Sequence, residues 1–133
     1  MKIATSGWLV AATVLAAGTA TSLAQVKISQ VYGGGGNTGA QYNRDFVELV
    51  NTGGAPVDIT GWSIQYAATA GTTWTNRALP SAIIPPGGYY LISMNTTNGT
   101  NGVALPTPDF QVATTVAMSA TDAKVALMRT ATT

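Results

Sequence analysis

Two runs between Phe46 and Tyr66 restrict this chain more than any other stretch, because each carries the period-two alternation of a strand and a glycine pair separates them. The first, predicted as a strand over Asp45 to Asn51, is rich in β-forming residues and ends at Thr52-Gly53-Gly54, whose glycines can supply the positive φ that a tight reversal needs. Pro56 then fixes φ ahead of a second run predicted as one strand, Val57 to Tyr66. Within it Trp62, Ile64 and Tyr66 fall on one face and Ser63 and Gln65 on the other, which makes the Trp62 indole a predicted core side chain.

The same alternation recurs along the chain. A first strand is predicted over Val26 to Tyr32 and a weaker one over Trp74 to Leu79, succeeded by the apolar pair Ile83-Ile84. Pro85-Pro86-Gly87-Gly88 is a stop signal, since proline lacks the ladder donor and glycine permits reversal. Tyr89 to Ser93 resumes as a strand, with Tyr89 and Tyr90 on opposite faces. Asn95 to Pro108 has no apolar periodicity and reads as the longest loop. A further short strand is predicted over Val112 to Met118, and a late one in which Val125 and Leu127 share a face. No long helix is expected after residue 24. The class is all-β.

Ahead of this pattern stand Lys2, an apolar run from Trp8 to Ala17 and Ser22-Leu23-Ala24 before Gln25, the three parts of a secretory signal peptide. Residues 1–24 are therefore read as a signal-peptide helix and residues 25–133 as one domain. The run is too short to span a bilayer comfortably. A secreted, periplasmic or cell-surface location in a bacterium is expected, with no membrane span once the signal is removed. The chain has no cysteine, so burial and sheet hydrogen bonds alone must hold the domain.

Charge narrows the partners. From residue 25 onward Lys27, Arg44, Arg77, Lys124 and Arg129 balance Asp45, Glu48, Asp58, Asp109 and Asp122. Nucleic-acid binding driven by counterion release needs a basic stripe that this balance does not provide. Catalysis is also poorly provided for, because there is no histidine or cysteine and the acids are scattered through separate segments. Glu48 reads as a strand glutamate hydrogen-bonded at the sheet surface, and Asp45 beside Arg44 as a solvated pair. Gly34-Gly35-Gly36-Asn37-Thr38-Gly39 satisfies the spacing of a dinucleotide-binding loop, but such a loop works by opening a helix. Tyr42 to Asn51 carries a strand pattern instead, so a flexible surface loop is expected and no cofactor or metal. Trp74 lies among threonines and asparagine, where an indole either stacks on a sugar or base or caps one end of the core. Trp74 and Tyr90 are the two candidate ligand contacts.

Phe46, Glu48, Leu49 and Asn51, together with Asp58, Ile59, Thr60, Gly61 and Trp62, resemble the signature of the lamin tail domain family. Pro86-Gly87-Gly88-Tyr89-Tyr90 is similar to that family's turn into an aromatic strand. The resemblance implies an immunoglobulin-like β-sandwich of lamin-tail type, with Phe46, Glu48, Leu49, Asn51, Asp58, Gly61 and Trp62 as fold-signature residues. Family members normally run past the late hairpin into another strand, so the domain is expected to lack its last strand and to carry an open sheet edge. The resemblance also implies a non-catalytic accessory role. Bacterial members are extracellular, and many adjoin nuclease, phosphatase or other hydrolase domains. Three roles are compatible with this: a module that binds or presents a protein or cell-surface ligand, the amino-terminal accessory segment of a larger secreted hydrolase, or a structural or adhesion protein that self-associates through its open edge.

Overall fold

The computed structural model describes residues 25–132, and the signal-peptide reading lies outside them. Among the described residues there are nine strands: β1 (Val26–Tyr32), β2 (Phe46–Asn51), β3 (Val57–Asp58), β4 (Ser63–Ala67), β5 (Thr75–Ala78), β6 (Ile83–Ile84), β7 (Tyr89–Ser93), β8 (Phe110–Gln111) and β9 (Lys124–Met128). One sheet runs β1-β2-β7-β8, a second β5-β4-β9, and β3 and β6 form a short separate ladder. All pairings are antiparallel except β7 with β8.

The two larger sheets meet over one apolar core. Val47, Leu49, Tyr90 and Ile92 come from the first sheet, Ile64 from the second and Ile84 from the β3–β6 ladder, with Ile59, Met94, Val112, Val116 and Met118 filling in from connecting segments. Alternation along β2 sends Val47, Leu49 and Asn51 inward, each fully buried. The outward set is Phe46, Glu48 and Val50. Phe46 is nonetheless buried, because the Tyr32 ring stacks on it at 5.3 Å and Tyr42 meets it edge-on at 5.6 Å.

The predicted strand from Val57 to Tyr66 is in fact two strands belonging to different sheets. A turn separates them, closed by the Trp62 amide donating to the Ile59 carbonyl at 3.1 Å. Gly61 has φ of 76° at the third position of this turn, the left-handed geometry that a type II turn demands there. Asp58 sets the turn up by accepting from the Thr60 amide at 2.8 Å. The Thr60 bonds hold the exposed Asp58 carboxyl below its ordinary range. No atom outside the local chain lies within 4 Å of a Cβ built on Gly61. Gly61→Ala therefore costs only its backbone strain, about 1 to 2 kcal/mol. A thermal melt checks this value, and a loss of twice that size would mean that the turn is also a packing contact.

Other boundaries move too. The stretch Val112 to Met118 is not a strand: Val112, Val116 and Met118 are buried, but the backbone is held by single bonds, Val112 N to Ser93 O and Val116 N to Met94 O. Burial at spaced positions gave these residues the look of a strand without a ladder partner. The pairing segment is instead β8, immediately before it.

Trp62 is also placed differently. It is partly buried, packed at the margin of the core, with the Arg129 guanidinium 5.3 Å from the ring centre. The fully buried Leu49, Ile59 and Ile64 hold the centre.

Candidate binding groove between β1 and β9

Asn51 ties several turns of the sandwich together. Asn51 is fully buried. Its side-chain amide donates to the Ala55 and Ile84 carbonyls at 2.8 and 2.9 Å, while its side-chain oxygen accepts from the Gly53 amide at 2.9 Å. Its main chain meets Gly87 and Gly88. One asparagine therefore ties the turn after β2 to β6 and to the proline-glycine turn before β7. Glu48 accepts a hydrogen bond from Ser29 at 2.6 Å on the outer sheet face, the surface role its pattern predicted.

Asp45 is the residue whose role the sequence hid. It is not a solvated partner of Arg44 but is 3% exposed. Its carboxylate accepts from the Gly35 amide at 2.6 Å and from the Met118 amide at 2.8 Å. Its own amide donates to the Asn95 side chain. Arg44 turns away, donating to Asn98 at 2.7 Å and to Gln111 at 2.5 Å. Neighbouring opposite charges look like a surface pair in sequence, and only the meeting of three distant loops shows otherwise.

Through Asp45 the glycine-rich segment is tied to the chain leading into β2. A Cβ on Gly35 would fall 2.1 Å from the Arg44 carbonyl carbon, so only glycine lets the two chains approach. The segment leads into β2 and opens no helix, which removes the geometry a phosphate-binding loop requires.

The acids do not converge. Asp45 is buried among amides, Glu48 is bound to Ser29, Asp58 lies in its turn, Asp109 accepts from the Leu91 amide at 2.7 Å and Asp122 lies beside Thr121. Among the described residues no group of three or more His, Cys, Asp or Glu is placed to hold a metal ion. The two candidate contacts fare differently. Trp74 is half-buried, with the Lys124 ammonium 5.6 Å from its ring centre, so one face of the indole is already taken. Tyr90 is a correction: its ring is in the core at 8% exposure, and Tyr89, at 62%, is the tyrosine that faces solvent. Burial first, and then the nearby Asp109 charge, push the Tyr90 hydroxyl above its ordinary range.

One concave feature of the described residues is a groove of about 360 Å³ lined by Val31 and Gly33 on one side, Val125 on the other and Met118 to Ala123 at its end. It lies where the margins of the two sheets, β1 and β9, come together. Val31 pairs with the inward-facing Val47 and so belongs to the inner face, yet it is 43% exposed. The sandwich is open there. Its lining mixes aliphatic side chains with Ser119, Thr121 and the Asp122 carboxylate, a surface suited to holding a segment of mixed polarity. Sequence reasoning missed it, since Val31 reads as an ordinary strand valine.

The family model of the Lamin Tail Domain matches residues 19–133. The chain belongs to the lamin tail domain family. Its all-β fold and immunoglobulin-like sandwich are those the Phe46 to Trp62 signature implied, and Asn51, Asp58 and Gly61 each take part in closing a turn. No curated protein matches the chain. No helix of the described residues is long and apolar enough to cross a membrane.

Proposed function

We propose that this lamin tail domain is an exported, non-catalytic module that attaches or presents a partner, a protein or a cell-surface ligand, through the β1–β9 groove. The exposed inner-face Val31 carries the reading: an aliphatic side chain of the inner sheet face, left open beside the polar Ser119, Thr121 and Asp122, is a surface that gains from being covered. Export rests on the Lys2, Trp8 to Ala17 and Ser22-Leu23-Ala24 pattern. The absence of histidine and cysteine and the dispersal of the acids support a binding role over a hydrolytic one. An accessory place beside a secreted hydrolase domain is the setting that the family resemblance favours.

A photo-crosslinking residue at position 31, compared with one at the exposed Thr72, tests this in the producing cells. The expected result is a discrete adduct at position 31 and none at 72. Equal labelling at both positions overturns the groove assignment, and an adduct of twice the chain's mass reassigns the groove to self-association. Phosphodiester or phosphomonoester turnover by the purified chain would end the non-catalytic reading.

A further inference from the structure

Ser63 and Gln65 point away from the core, yet they are 0% and 6% exposed. The segment after β9 covers them. Ser63 donates to the Thr130 carbonyl at 2.7 Å, Asn76 to the Ala131 carbonyl at 2.5 Å and Gln65 to the Thr132 carbonyl at 3.0 Å. Gln65 pairs with Asn76 across β4 and β5, so the three donors share one sheet face and catch three successive main-chain carbonyls. The side chains of the segment take no part. The Thr130 and Thr132 hydroxyls bond to each other at 2.9 Å, the Thr130 hydroxyl also accepts from the Thr132 amide, and residues 130–132 are exposed. One polar group in the site remains unmet, the buried Oδ1 of Asn76, an acceptor placed where a polypeptide has amides to offer.

We propose that the outer face of β4 and β5 is a binding slot for an extended polypeptide, read through its main-chain carbonyls and indifferent to its side chains, with residues 130–132 as its resident occupant. This face is distinct from the β1–β9 groove and the proposal does not depend on that site. Carbonyls are common to every residue, so any extended segment of suitable spacing can replace the resident one. Replacement requires only that it compete with the effective concentration of a short tether, which is of millimolar order.

Trypsin provides the test, because Arg129–Thr130 is a cleavable bond at the start of the segment and Arg129 is held over Trp62. In the full chain, cleavage there is expected to be slow. It should rise about tenfold in Ser63→Ala with Gln65→Met, since two net hydrogen bonds are lost from a local opening equilibrium. Asn76→Ala, at a more exposed contact, gives a smaller rise and serves where the double variant does not fold. Cleavage after Arg44 and Arg77 reports on global unfolding and should stay unchanged. Ala131→Leu with Thr132→Val should leave the rate within about twofold, because the slot ignores side chains. A free acetylated Ala-Thr-Ala-Thr-Ala peptide, which contains no trypsin site, should raise cleavage about twofold at millimolar concentration, as should its order-scrambled version. Release by the Ala131 and Thr132 changes, dependence on peptide order, or no response to slot variants and peptide would each overturn the proposal.

Discussion

Asp45→Ala is expected to lower the stability of the domain by about 3 to 5 kcal/mol. The variant strips the acceptor from two amides, those of Gly35 and Met118, which lie 10 and 73 positions away in sequence. Charge-assisted bonds to a buried carboxylate are worth about 1.5 to 3 kcal/mol each, and the variant's methyl group offers the two amides no acceptor in its place. That loss is a large share of the roughly 5 to 15 kcal/mol margin typical of a domain. Asp45→Asn keeps one acceptor oxygen and should fall between the alanine variant and the parent. A urea titration of the three proteins measures the order, and an Asp45→Ala midpoint equal to that of the parent would show that the carboxylate is dispensable.

Leu49→Ala should cost a similar amount, about 3 to 5 kcal/mol, through the cavity it opens. Leu49 is fully buried, pairs with Ile28 on β1 and Tyr90 on β7, and sits in the core cluster with Ile64 of the opposing sheet. The surrounding ladder cannot collapse without breaking register, so the void persists. Trp62→Ala should cost less, even though the indole is the larger side chain. Its ring lies at the margin of the core under Arg129 and is only partly withdrawn from water. Chemical denaturation of both variants checks the ranking, and a larger loss for Trp62→Ala would return the indole to the centre of the domain.

The places where strand pattern and structure part company have a common cause. Alternation reports which side chains are buried, whereas a ladder also requires a partner backbone. Val112, Val116 and Met118 are buried as a strand's residues would be, but only isolated backbone bonds, Val112 N to Ser93 O and Val116 N to Met94 O, tie the segment to its neighbour. Conversely, Ile59 to Trp62 keeps strand-like composition through a turn, and only the φ of Gly61 shows where the chain leaves one sheet for another. The candidate groove was still less legible. Val31 continues the alternation of β1, and nothing local distinguishes an inner-face valine that is covered from one left in the open.

Two of the reversals are local events that local chemistry wrote: Gly53-Gly54, which turn without a positive φ, and Pro85-Pro86-Gly87-Gly88 punctuate the chain, the alternating runs between them specify an all-β fold, and the Phe46 to Trp62 signature implies its lamin-tail sandwich. Which groups meet across the sandwich is set by long-range closure. The burial of Asp45, the cover over Ser63 and Gln65, and the gap beside Val31 each depend on segments dozens of residues apart arriving at the same place. A side chain's pattern in sequence fixes the face it takes, but only the packed neighbours fix whether that face meets water, an amide or a partner.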